Sequence, residues 1–196
     1  MIIQHRFYKC TALIALLIFM AFIPAKAALI SDFTGPYSPA NWTTTTGSNG
    51  YIAFNDFSSV TLTSSDQGIS GNQDQINVDL TIMAAASGFV SFYWSYKTLD
   101  IDKDPIWDPF GYLHNDVFFL LTDDQGDLIQ TGQTRFFVNA GDIFGFRQKT
   151  KDDQFGAGVT TISQFSVQVP EPHISVLLSL GLACFLLTYS RRLKRS

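Results

Sequence analysis

Between residues 28 and 168 apolar and polar side chains alternate in short runs. The clearest is Phe89-Val90-Ser91-Phe92-Tyr93-Trp94-Ser95-Tyr96, in which Val90, Phe92, Trp94 and Tyr96 share one face and serines take two of the alternate positions. A period of two is that of a half-buried strand. Further strands are expected over Tyr51–Phe54, Val60–Thr63, Gln75–Met83, Leu128–Thr131, Arg135–Val138, Ile143–Gln148 and Thr160–Val167, while the unbroken apolar run Val117–Leu121 suits a strand buried on both faces. Turn-forming clusters stand between them, among them Gly47-Ser48-Asn49-Gly50, Asp66-Gln67-Gly68, Ser70-Gly71-Asn72, Asp124-Gln125-Gly126-Asp127 and Asn139-Ala140-Gly141-Asp142. No helical period of useful length interrupts them. The expected fold is all-β, a two-sheet antiparallel β-sandwich of jelly-roll-like type.

The two ends follow a different pattern. His5, Arg6 and Lys9 precede an apolar stretch from Thr11 to Ile23, and Pro24-Ala25-Lys26-Ala27 closes it. A charged start, a short apolar core and an A-x-A-like site built on Ala25 and Ala27 make a secretory signal peptide over residues 1–27, to be removed by signal peptidase after export through the general secretion machinery. At the other end, Val169-Pro170-Glu171-Pro172 leads into an apolar run from Ile174 to Tyr189 and then Arg191, Arg192, Lys194 and Arg195. Sixteen helical residues span about 24 Å at ~1.5 Å each, short of the roughly 30 Å hydrocarbon core. Local thinning and snorkelling cations offset such a deficit. A single transmembrane helix over about residues 174–190 is therefore expected, with the cations on the cytoplasmic side and the body outside.

A signal peptide, a V-P-E-P sequence, a short apolar helix and an arginine-rich end, in that order, resemble the PEP-CTERM sorting signal of Gram-negative bacteria. The resemblance implies that exosortase, a membrane-embedded cysteine transpeptidase, processes the tail. Pro170, Glu171 and Pro172 would be the recognised residues, and Arg191, Arg192, Lys194 and Arg195 the stop cluster. The body would start at the inner membrane and pass to the cell surface or the medium. The tripeptide's chemistry agrees, because each proline fixes φ and biases the preceding residue to extended backbone, holding Glu171 open to a groove. The domain plan is thus a leader at 1–27, an exported domain at 28–168 and a sorting tail at 169–196.

Setting the ends aside changes the composition. Cys10 and Cys184 both fall outside the body, which therefore has no disulfide or thiolate ligand and is held by packing alone. The body carries six basic residues, Lys97, Lys103, Arg135, Arg147, Lys149 and Lys151, against sixteen aspartates, a formal charge of −10 compared with −4 for the whole chain. No basic footprint for nucleic acid exists. Asp32-Phe33-Thr34-Gly35-Pro36-Tyr37, Trp94-Ser95-Tyr96, Asp108-Pro109-Phe110-Gly111-Tyr112, Ala140-Gly141-Asp142-Ile143-Phe144-Gly145-Phe146 and Ile162-Ser163-Gln164-Phe165 are similar to a recurrent extracellular β-sandwich module of exported bacterial proteins. That likeness implies the fold and leaves the role open.

Candidate chemistry is sparse. Asp100, Asp102 and Asp104 stand at alternate positions with Asp108 four residues on, a spacing that supplies oxygens for calcium. Pro105 and Gly111 fall where an EF-hand has glycine and glutamate, so the segment reads first as a solvated acidic loop, with a β-sandwich calcium site as the alternative. Otherwise no cofactor is expected. His114, placed in a turn after Gly111-Tyr112, is the body's single histidine, and no G-x-S-x-G elbow, H-E-x-x-H helix or phosphate loop accompanies it. Most aromatics belong to the expected core, whereas Trp42 and Trp107 in loop-like contexts, with Tyr112, are candidates to stack on a sugar ring. The first expectation is a non-enzymatic exported surface or matrix protein associated with exopolysaccharide. A carbohydrate-binding module is the alternative and a hydrolase a distant third.

Overall fold

Eleven strands in two antiparallel sheets make up a computed structural model that describes residues 28–68, 75–169 and 181. They are β1 (Ala28–Ser31), β2 (Thr43–Thr46), β3 (Tyr51–Asn55), β4 (Ser59–Thr63), β5 (Ile76–Met83), β6 (Gly88–Thr98), β7 (Phe110–His114), β8 (Val117–Leu120), β9 (Ile129–Val138), β10 (Ile143–Thr150) and β11 (Gly158–Val169). Sheet A runs β3-β4-β11-β6-β9, with β1 also on β11, and sheet B runs β2-β5-β10-β7-β8. From β4 to β11 the chain crosses between sheets at every step except the β7–β8 hairpin, which is jelly-roll connectivity. The leader residues Ala25 and Ala27, the sorting motif, the apolar tail and the stop cluster lie outside the described residues.

Alternation places the core between the sheets. Val90, Phe92, Trp94 and Tyr96 of β6 face Phe144 and Phe146 of β10 and Val78, Leu80 and Ile82 of β5, all buried. The segments expected at Leu128–Thr131 and Arg135–Val138 are one strand, β9. Gly132 joins them because a Cβ there would meet the Trp94 ring at 2.6 Å, so the glycine that reads as a break is the space the indole needs. Thr43–Thr46, a polar run in the sequence, is an exposed edge strand.

Two expectations are corrected. Val117–Leu120 is not buried on both faces: it is the outer edge of sheet B, and Val117, Phe119 and Leu120 are exposed. His114 is not a turn residue but the last residue of β7. The turn is Asn115-Asp116, whose φ of 47° and 64° make the two-residue type I′ hairpin that right-handed strand twist favours.

The strand expected at Thr160–Val167 holds one irregularity. Pairing with β6 is regular up to Ser163 opposite Tyr93 and resumes with Ser166 opposite Ser91, so one extra residue is accommodated as a bulge. Gln164, at φ 50°, bears the distortion, and Ile162 before the bulge and Phe165 after it both point into the core.

Candidate binding face

Sheet A has a face turned away from the core, and its pairing register makes that face a grid. Across β11, β6 and β9 the outward rows are Gln168, Phe89 and Phe137; Ser166, Ser91 and Arg135; Ser163, Tyr93 and Gln133; Thr161, Ser95 and Thr131; and Val159, Lys97 and Ile129. Hydroxyl and amide groups fill the middle of it. The polar surface continues onto β4, where Thr61 Oγ1 lies 3.0 Å from Thr161 Oγ1, and onto β3, where Asn55 Nδ2 donates to Thr61 at 3.0 Å.

Aromatics cluster at one end of the grid. Phe89 and Phe137 are 37% and 42% exposed, with ring centres 5.2 Å apart at 71°. Such an edge-to-face pair is favourable by itself. The Arg135 guanidinium lies 4.0 Å over the Phe89 ring and donates through Nη2 to Gln168 Oε1 at 3.2 Å. Tyr93 stands half-buried beside this group. The arrangement presents flat apolar rings next to fixed polar donors and acceptors, which suits a ligand with alternating C–H faces and hydroxyl edges.

The residues expected to stack on a sugar do not come together. Trp42 is 7% exposed, stacked on Phe146 at 5.7 Å and donating Nε1–H to the Tyr37 carbonyl at 2.9 Å, so it is core and not a platform. Trp42 directly precedes the exposed edge strand β2, while its own side chain joins the core cluster. Tyr112 is occupied by protein, with Phe119 at 4.7 Å on one side and Phe136 at 4.4 Å on the other, both nearly parallel. Trp107 is 38% exposed, in the short turn Pro105–Trp107 that joins β6 to β7. Phe89 and Phe137, the exposed aromatics of this face, carry a signal in the sequence. Each is an aromatic at an outward parity in a strand whose inward parity is already filled.

The acidic loop is built for itself. Asp100 Oδ1 accepts from the Asp102 N–H at 2.8 Å, and Asp104 Oδ1 accepts from the Ile106 N–H at 3.0 Å, capping the Pro105–Trp107 turn. Asp108 turns inward to accept from Ser64 Oγ at 2.8 Å and from Thr98 Oγ1 at 3.4 Å. Burial raises the Asp100 and Asp108 carboxyls, the latter to about 7. Among the described residues no three His, Cys, Asp or Glu side chains are arranged to hold a metal, so the calcium set Asp100, Asp102, Asp104 and Asp108 is not assembled.

His114 Nε2 lies 3.0 Å from Asp142 Oδ2. Asp142 also accepts from Asn115 Nδ2 at 3.1 Å and from the Asn139 N–H at 2.7 Å, and these donors hold its carboxyl well below the ordinary range. The pair thus ties the β7–β8 turn to the turn before β10.

No protein-family model matches this sequence, nor does any curated protein. Among solved structures, a cleaved adhesin domain of Lys-gingipain from Porphyromonas gingivalis is similar at 12% identity and TM-score 0.44, over 75% of this chain and 100% of that one. A family 29 carbohydrate-binding module from Piromyces equi is similar at 10% identity and TM-score 0.39, over 74% of this chain and 93% of that one. The family 11 carbohydrate-binding module of a cellulosomal cellulase from Clostridium thermocellum gives 10% and 0.39, over 76% of this chain and 99% of that one.

Proposed function

We propose that this chain is an exported, non-enzymatic surface or matrix protein whose β-sandwich binds polysaccharide on the outer face of β6, β9 and β11. The observation that carries the reading is the solvent-facing pair Phe89 and Phe137 bordering a flat field of serine, threonine and glutamine side chains. A pyranose ring offers C–H groups on its faces and hydroxyls around its rim. Rings set beside side-chain amides and hydroxyls can engage both at once, and a β-sheet backbone keeps that array rigid, which lowers the ordering cost of binding.

Phe137→Ala is expected to weaken binding to a glycan identified by array screening by about tenfold or more, as loss of an aromatic anchor does at other interfaces. Its melting temperature should stay within a few degrees of the parent, because the side chain is exposed. An array without hits, or a Phe137→Ala variant that binds as tightly as the parent, would sink the reading.

Delivery is a separate part of the proposal, supported by the sequence order of leader, Pro170-Glu171-Pro172, apolar run and basic end. In this reading signal peptidase removes the leader, the C-terminal helix holds the protein in the inner membrane, and exosortase then releases or transfers it. Glu171→Ala, or deletion of residues 174–196, should change the mass and the fractionation of the protein in a sorting-competent host while leaving the β-sandwich folded. Unaltered mass and fractionation would refute exosortase sorting.

A further inference from the structure

The charge on the candidate face runs against the charge of the domain. The exported body has a formal charge of −10, yet no strand of sheet A contains an aspartate or glutamate. Among the described residues the acids lie in loops and turns, except Asp79 on the outer face of sheet B. Two of the body's six cations, Arg135 and Lys97, stand on the outer face of sheet A. Of the other four, Arg147 donates to both Asp79 oxygens at 2.7 and 2.6 Å, Lys151 lies 3.4 Å from Asp124, and Lys149 sits 4.3 Å over the Phe118 ring. Among the described residues neither Arg135 nor Lys97 has an acidic partner.

Arg135 is also prepared for a ligand. Packing over Phe89 and the bond to Gln168 hold the guanidinium in one place, and that bond uses one of its five N–H donors. The remaining donors keep the planar fork that matches a carboxylate. Lys97 lies six residues along β6 from Ser91, the pairing partner of Arg135, which is about 20 Å at ~3.4 Å per residue. Hydroxyls of Ser91, Ser95 and Thr131 and the Gln133 amide occupy the interval. A track with a cation near each end and neutral polar groups between them fits an extended polymer that carries spaced negative charges and many hydroxyls.

We infer that the ligand of this face is an acidic polysaccharide, one whose sugar carboxylates pair with Arg135 and, further along the chain, with Lys97. The inference rests on the glycan reading above and names the class of glycan. The surrounding aspartates do not cancel it at physiological salt, because exposed charges more than ~8 Å apart are largely screened. They instead disfavour an acidic polymer on the loop and turn surfaces where they lie, so that charge contributes to orientation.

Esterification provides the test, since it removes charge and keeps the sugar backbone. Polygalacturonate and alginate, each beside its methyl-esterified form, would be titrated into the full-length protein, with a neutral glycan array run in parallel. The acidic form is expected to bind about tenfold more tightly than its ester, and Arg135→Gln is expected to bring that acid-to-ester ratio close to one, whatever it does to affinity for the ester itself. Arg135→Lys should restore part of the ratio, and Phe137→Ala should weaken both forms. Equal affinity for acid and ester, or a ratio unchanged in Arg135→Gln, overturns the acidic assignment and leaves the glycan face standing. Binding of neutral array glycans alone overturns it too. Loss of all glycan binding in every format would instead overturn the parent reading. Saturable association of the protein with itself or with an acidic protein in place of any glycan would count against both.

Discussion

Asp108→Asn is expected to flatten the pH dependence of stability and to make the protein more stable than its parent at pH 8. Asp108 is fully buried, and it knits the loops at one end of the sandwich together. Its carboxyl accepts from Ser64 and Thr98, its backbone carbonyl accepts from Gln148 Nε2 at 2.7 Å, and Ser64 Oγ accepts the Gly158 N–H at 2.8 Å. Loss of solvation on burial raises its carboxyl to about 7, against the lowering effect of its hydrogen-bond donors. In the unfolded chain the group ionises near the ordinary ~3.9. Between those values the folded state holds a proton that the unfolded chain has lost, so stability falls as pH rises from about 4 to about 7 and levels off above. The full effect of such a shift is at most roughly 4 kcal/mol at ~1.36 kcal/mol per unit. Asparagine keeps an oxygen for Ser64 and has no proton to lose. Asp108→Ala, by contrast, leaves buried hydroxyls without an acceptor and opens a cavity, and is expected to cost about 2–4 kcal/mol at pH 5. Urea melts of parent and both variants at pH 5 and pH 8 decide the matter. A parent whose stability is the same at both values would show that Asp108 titrates normally.

Phe165→Ala should produce the other large loss, about 3–5 kcal/mol, as for other large buried aromatics. The ring stacks on Phe33 at 5.0 Å and 11° and makes edge contacts with Tyr37 at 5.6 Å and Trp42 at 5.8 Å. Phe144 and Phe146 complete its surroundings at 6.4 and 6.3 Å. These rings come from the first turn, β2's approach, β10 and β11, so a cavity here loosens both sheets at once. For a domain of this size the loss corresponds to a fall in melting temperature on the order of 10 °C. Phe165→Leu should recover part of it. A Phe165→Ala variant that melts within two or three degrees of the parent would mean that the cluster collapses freely around the gap, and the packing account would fail.

Legibility in the sequence varied with the source of each feature. The long strand at β6 and the inward sets of β5 and β10 could be read directly, because alternation is a local property of a half-buried strand. β7 went unread because glycine and histidine dilute its pattern, and only pairing with β10 and β8 makes it a strand. The β11 bulge is written in the spacing from Ile162 to Phe165, where two apolar residues stand three apart in place of two. A single polar insertion looks like noise until the partner strand fixes the register. The candidate site fared worse. Trp42 looked exposed because its neighbours are polar, yet an indole that can satisfy its N–H on the Tyr37 carbonyl loses nothing by burial.

By itself the sequence determined an all-β body without disulfides and its strong negative charge. Each of these follows from composition or from short-range order along the chain. Only the tertiary structure decided which aromatics face solvent, that the aspartates at 100, 102, 104 and 108 serve separate turns and a buried network, and that Phe89, Phe137, Arg135 and Gln168 meet. Those residues lie on three strands far apart in sequence. Their meeting depends on register, which aligns Phe89 with Phe137 and with Gln168, and a slip of one residue would have turned the same side chains to the opposite face.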